Sequence, residues 1–88
     1  MATLTLAPAP VVVSTDNSFE AFYRAESSGL HRALTVALGN SDLAREATDE
    51  GFVRAYQHWR KISRYDNPAG WVYRVGLNYA RNRVRARW

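Results

Sequence analysis

Five arginines, Arg74, Arg81, Arg83, Arg85 and Arg87, stand with Trp71, Tyr73 and Tyr79 between Asn67 and Trp88, a stretch without an acidic residue. Guanidinium forks neutralise phosphates, and flat rings stack on unpaired bases. The combination therefore suits a nucleic-acid strand. Asn78 and Asn82 lie on or beside the arginine face. An amide there can bond a base edge, be solvated, or bond another helix, and the sequence leaves these open.

No catalytic constellation accompanies this stretch. Glu46, Asp49 and Glu50 share a helix face, but nothing suggests a desolvated pocket that would raise a carboxyl pKa. There is no glycine-rich phosphate loop, no paired-histidine metal motif and no Ser/His/Asp arrangement. His31 and His58 are isolated, and the absence of cysteine excludes disulfides and thiolate metal sites. The chain is expected not to be an enzyme and to need no cofactor or metal.

The elements that must carry these residues read as helices. Asn67 is a suitable N-cap, and Pro68 falls at the first helical position, where its missing N–H costs nothing. Within that helix Trp71, Val72, Val75 and Tyr79 follow core spacing around Gly76. Upstream, Thr15-Asp-Asn-Ser18 is a cluster of capping residues. Phe19, Phe22, Tyr23, Leu30, Ala33, Leu34, Ala37 and Leu38 then mark one apolar face. Ser27-Ser28-Gly29 is expected to kink or split that helix, and Gly39-Asn40 to close it. Ser41 reads as the next cap, with Asp42 in the first turn.

The middle helix buries Leu43, Ala44, Ala47, Phe52, Ala55, Tyr56 and Trp59 by this spacing, with Val53 off the stripe. Gly51 inside it costs about 1 kcal/mol relative to Ala, for which close approach of another helix would compensate. Trp59 and Trp71 read as core. Residues 60–66 read as a short basic loop. No alternation at strand period occurs. The expected fold is all-α, a compact bundle of three to four helices over residues 16–88, after a flexible arm at 1–15.

Charge is segregated along the chain. Residues 42–50 hold four carboxylates against Arg45, whereas residues 60–87 hold eight Arg and Lys against Asp66 alone. The formal net charge of +4 and a sequence pI near 10.0 favour an anionic partner. A chain of 88 residues makes one domain with a thin core, burying roughly 60–65% of its unfolded surface. The N-terminal apolar run lacks a positive flank and is broken by Pro8 and Pro10, so it does not read as a signal peptide. No apolar run nears the ~20 residues needed to span a membrane. A cytoplasmic location fits the lack of cysteine.

Three stretches resemble region 2 of the extracytoplasmic-function (group 4) sigma factors of bacterial RNA polymerase. They cover about residues 18–87. Phe19-Glu-Ala-Phe-Tyr-Arg, continuing to Leu30-His-Arg-Ala-Leu and Leu38-Gly-Asn-Ser-Asp, looks like the family's first helix. Ala44-Arg-Glu-Ala-Thr-Asp-Glu-Gly-Phe-Val-Arg-Ala-Tyr, ending at Trp59, looks like its polymerase-binding helix. Asp66-Asn-Pro-Ala-Gly-Trp-Val-Tyr-Arg-Val-Gly-Leu-Asn-Tyr-Ala-Arg-Asn-Arg-Val-Arg looks like its promoter-melting helix and is the most specific of the three.

The resemblance implies that the second helix binds the clamp helices of the polymerase β′ subunit, through Glu46, Asp49, Glu50 and Arg54. Arg45, Glu46, Asp49 and Gly51 depart from the usual pattern of that helix. It implies that the last helix and the loop before it engage the promoter minus-ten element and hold bases flipped from the non-template strand. The matching positions are Lys61, Ser63, Arg64, Tyr65, Asn67, Trp71, Arg74, Asn78, Arg81 and Arg85. An anti-sigma factor is a further partner that the family admits; a membrane is not expected.

Family members carry a second, helix-turn-helix domain that reads the minus-thirty-five element. This sequence reaches Trp88 without one, and reads as an isolated domain, a shortened chain or a short natural product. Such a domain is expected to bind polymerase and open-strand DNA weakly and to initiate transcription poorly alone. Two rival readings remain at this level. One is a generic basic helical adaptor binding RNA or an anionic membrane through residues 71–88. The other is a decoy module that occupies polymerase or an anti-sigma factor.

Overall fold

The computed structural model describes the backbone of residues 8–87 and the side chains of residues 18–86. Four helices follow in order: α1 (Pro8–Leu38), α2 (Ser41–Gln57), α3 (Trp59–Ile62) and α4 (Pro68–Arg87). No strand occurs among the described residues, so the all-α expectation holds. Residues 1–7 of the expected arm, and Trp88, lie outside the described residues. The backbone of α1 begins at Pro8, so Thr15 to Ser18 lie inside the helix rather than capping it. Pro8 and Pro10 both fall in its first turn, where an N–H has no intrahelical partner to lose.

The expected break at Ser27-Ser28-Gly29 does not occur, and α1 runs through it without interruption. A helical glycine costs about 1 kcal/mol. Here Phe19, Phe22, Leu30 and Leu34 hold the same face of α1 against the core on both sides of Gly29, with Leu30 and Leu34 buried. That apolar contact outweighs the local propensity. The helix ends where expected. Gly39 adopts a left-handed φ of +68° and donates its N–H to Thr35 O at 2.8 Å, a conformation that glycine reaches without a Cβ clash. The cap of α2 is Asn40, one residue before the expected Ser41. Its extended backbone lets its Oδ1 accept from Leu43 N at 3.0 Å.

α2 buries Ala44, Ala47, Thr48, Gly51, Phe52 and Ala55. The Thr48 hydroxyl donates to Ala44 O at 2.6 Å, which satisfies the one buried polar side chain described. The stripe centres on small residues because α4 packs closely there. A Cβ on Gly51 would lie 2.9 Å from both Val72 Cγ1 and Val72 O, and one on Gly76 would lie 2.9 Å from Ala47 O. The two glycines thus face each other's helices, and close approach compensates for Gly51 as expected. Tyr56, expected in the stripe, is 58% exposed. It lies at the flank, where its ring meets the edge of Phe19 at 5.1 Å between centroids. Val53 is exposed, as its spacing required.

Two apolar groups form the core. At one end Leu30, Phe52, Ala55, Ile62 and Val72 are buried beneath Phe19, Phe22, Trp59, Trp71 and Tyr73. At the other, Leu34, Ala44, Ala47 and Ala80 are buried beneath Leu38, Leu43, Leu77 and Tyr79. Trp59 and Trp71 pack on the core while keeping part of each ring accessible. The segment expected as a loop at 60–66 begins as the single turn α3. Ile62 explains it: a residue only 1% exposed pulls the turn onto the core, and Ile62 N donates to His58 O at 3.0 Å.

The two interior glycines make opposite predictions. Gly29 has no neighbour within 4 Å of an added Cβ, so Gly29→Ala is expected to raise stability by about 0.5–1 kcal/mol. Gly51→Ala is expected to lower it by about 1–3 kcal/mol through overpacking against Val72. Urea unfolding of the two variants checks this, and equal shifts would show that α4 does not close on α2 at Gly51.

Candidate polymerase and nucleic-acid interfaces

The basic helix is aligned by its start. Asn67 accepts twice, its backbone O from Trp71 N at 3.2 Å and its side-chain Oδ1 from Gly70 N at 2.9 Å. Pro68 occupies the first helical position, as expected. Val72, Gly76 and Ala80 then point into the core. At ~100° per residue, Trp71, Arg74, Asn78, Arg81 and Arg85 fall within an arc of roughly 80° on the opposite side. Arg74, Asn78, Arg81 and Arg85 are exposed and Trp71 is half-buried. Asn82 is exposed beside them. Three arginines and an amide are thereby presented outward from a helix whose other side is packed.

Asn67, Gly70, Trp71 and Arg74 line an open hollow of about 300 Å³ at the first turn of α4. A ring, an amide and a guanidinium converge there, which are the groups that stack on a base, bond its edge and hold its phosphate. The remaining residues expected to contact DNA divide differently. Lys61 and Tyr65 are exposed on and after α3. Ser63 and Arg64 line a second hollow with Ser18, Phe19, Tyr56, Gln57, Trp59 and Arg60, on the α1 side. The Ser63 hydroxyl donates to Arg60 O at 3.2 Å, and Trp59 Nε1 donates to Ser18 Oγ at 3.2 Å. The fold therefore gathers Asn67, Trp71 and Arg74 with the α4 face, and sets Ser63 and Arg64 apart from them. Arg60 was not singled out in the sequence; the signal for it is its position one residue after a core tryptophan.

The residues expected to meet polymerase lie on α2. Asp49 is exposed and lines a shallow apolar groove with Phe19, Tyr23, Phe52, Val53, Tyr56 and Gln57. Glu50 accepts from Arg54 Nε at 2.9 Å along the same helix. Glu46 differs, because its Oε2 lies 2.8 Å from Arg83 Nη1 on α4 and 3.3 Å from the donating Tyr79 hydroxyl. Asp49, Glu50 and Arg54 thus share an accessible surface, whereas Glu46 is engaged across the helix pair. Among the described arginines of α4, Arg83 is the one paired with α2 rather than placed on the outer arc. The sequence carries no signal for that pairing.

Among the described residues no group of three His, Asp or Glu is gathered as metal ligands, and no helix is long and apolar enough to cross a membrane. A family model described as Sigma-70 region 2 matches residues 22–88. The chain belongs to the sigma-70 region 2 family. Region 2 is a non-enzymatic part of transcription initiation that binds RNA polymerase and takes part in promoter recognition. The partners of this sigma region are accordingly core RNA polymerase and promoter DNA. The match spans α2, α3 and α4 and the second half of α1, so Asp49, Glu50 and Arg54 and the outer face of α4 lie within it. Neither a curated protein nor a solved structure matches the chain.

The double role of Asn67 can be separated. Its Oδ1 is committed to the cap, so Asn67→Ala is expected to cost about 1 kcal/mol of stability, while Asn67→Asp retains most of the cap. Thermal unfolding of the two variants measures the difference. Equal losses would mean that the side-chain bond to Gly70 N does not hold the start of α4.

Proposed function

We propose that this sigma region 2 is of the extracytoplasmic-function (group 4) type, and that it couples two surfaces. The outer face of α2, with Asp49, Glu50 and Arg54, docks on the β′ clamp helices. The outer face of α4, with the hollow at its first turn, holds the unpaired non-template strand of the minus-ten element. The observation that carries this reading is the rotation of α4, which buries Val72, Gly76 and Ala80 and turns Arg74, Asn78, Arg81 and Arg85 outward together. In this reading the protein works in the cytoplasm, where polymerase and promoter are.

The physical mechanism is capture rather than catalysis. Opening a duplex costs a few kcal/mol for each unstacked base. A protein that binds only the open strand offsets that cost. Stacking on an aromatic ring returns ~1–3 kcal/mol per base, and Trp71 keeps part of its ring accessible beside Arg74. Arg74, Arg81 and Arg85 hold phosphates along the helix, two turns and then one turn apart. Asn78, between them on the same arc, bonds a base edge and supplies preference. Lys61 and Tyr65, on and after α3, hold the strand where it leaves α4, and Ser63 and Arg64, set apart on the α1 side, offer a hydroxyl and a guanidinium to a more distant part of it. No covalent bond changes, so the domain shifts an equilibrium between closed and open DNA.

Fluorescence anisotropy with a single-stranded minus-ten-like oligonucleotide and a scrambled one tests the strand surface. Asn78→Ala is expected to weaken the preferred oligonucleotide more than the scrambled one; equal losses would remove base reading. If about four phosphates are held, log K should fall with log salt at a slope of about −3. Liposome binding without base preference would instead support a generic basic adaptor. For the other surface, Asp49→Lys with Glu50→Lys is expected to abolish capture by a β′ clamp-helix fragment while the circular dichroism stays helical. Undiminished capture would rule out that docking face.

A further inference from the structure

The basic helix outruns the core that supports it. Among the described side chains Ala80 is the last buried residue of α4, and residues 81–86 are all exposed. Arg81 and Arg85, two of the proposed phosphate contacts, lie in that unsupported stretch. A helix end with no buried residue among those described opens readily, and Arg81 and Arg85, four residues apart on its outer arc, repel each other. Among the described residues, the polar tie from beyond Ala80 to another helix is Arg83 Nη1 to Glu46 Oε2 at 2.8 Å. The Tyr79 hydroxyl donates to the same Oε2 at 3.3 Å and accepts from Arg83 Nη1 at 3.4 Å. Three groups close a polar ring between α2 and α4, one turn past the end of the core.

We infer that Glu46 is a positioning residue of the strand-holding helix: its carboxylate clamps the unburied end of α4 to α2 through Arg83 and Tyr79, and so orients Arg81 and Arg85. The inference rests on the proposed reading of α4 as the strand surface. It gives Glu46 a role inside the domain, separate from Asp49, Glu50 and Arg54 on the polymerase-facing surface. It also divides the arginines of α4 by task. Arg83 holds the helix, and its neighbours on the outer arc hold the ligand. The carboxylate further offsets the local excess of positive charge. Glu46 and Arg83 are 41% and 43% exposed, so the clamp is a solvent-screened contact of modest strength, suited to steadying a helix end rather than to holding the fold.

Hydrogen exchange of residues 81–86, anisotropy and polymerase capture decide it together. Glu46→Ala and Arg83→Ala are each expected to speed exchange of these amides about two- to five-fold, the range of a surface ion pair. Glu46→Ala should weaken the minus-ten-like oligonucleotide by a similar factor and leave capture of core polymerase unchanged. The double reversal Glu46→Arg with Arg83→Glu keeps the net charge and should restore both exchange and strand affinity. Unchanged exchange in both single variants would overturn the clamp. So would a loss of polymerase capture in Glu46→Ala that the double reversal fails to restore. Failure of the unaltered protein to bind any oligonucleotide would instead sink the strand-binding reading, and the exchange comparison would still decide the clamp.

Discussion

The close contact of α2 with α4 at Gly51 and Gly76 is the constraint from which the rest of the structure follows. Each glycine removes a Cβ where the other helix's atoms would stand at 2.9 Å. Two helices that approach this closely cannot rotate freely about their axes, because their side chains interlock. Val72, Gly76 and Ala80 are thereby committed inward. Once they are, Arg74, Arg81 and Arg85, seven and four residues apart on the other side, have no place except solvent. A glycine that lowers helix propensity locally thereby sets the orientation of a whole charged face.

The same contact brings an acidic helix against a basic one. Segregated charge would be costly within a single small domain if like charges met across the interface. Here the outer faces of α2 and α4 diverge, and the two signs meet at their flank, where Glu46 and Arg83 pair. The acidic surface retains Asp49 and Glu50, and the basic surface retains Arg74, Arg81 and Arg85, with little direct cancellation. In the proposed function, which gives the acidic surface to polymerase and the basic one to DNA, this separation lets one partner be held without displacing the other.

At the other end, aromatic packing does what a larger core would do in a longer chain. Phe19, Phe22, Phe52 and Trp59 meet edge-on or tilted, with centroids 4.8–6.4 Å apart. This geometry adds to simple area burial. It joins α1 to the end of α2 and to α3, and so positions the segment that leads into Asn67. The basic turn before α4 is thus held from below by Ile62 and the aromatic cluster, while Lys61, Arg64 and Tyr65 remain accessible.

What the sequence by itself determined was local. Asn67-Pro68 marked the start of α4 and Gly39 ended α1, because these signals act within one or two helical turns; the spacing of Trp71, Val72, Val75 and Tyr79 located the apolar side of α4 only in part, since Val72 is buried with Gly76 and Ala80 while the other three are half-buried. The family was legible for the same reason, since its motifs are continuous runs. What only the tertiary structure decided depended on groups distant in the chain. Ser27-Ser28-Gly29 stayed helical because contacts on both sides of it outweigh a local cost. Ile62 turned an apparent loop into a helical turn because the core had room for it, and Tyr56 was left outside because the stripe centred on Gly51. The separation of Arg83 from its neighbours, and of Glu46 from Asp49 and Glu50, arose only when α2 and α4 met, since an ion pair between residues 37 positions apart has no signature in the spacing of either helix.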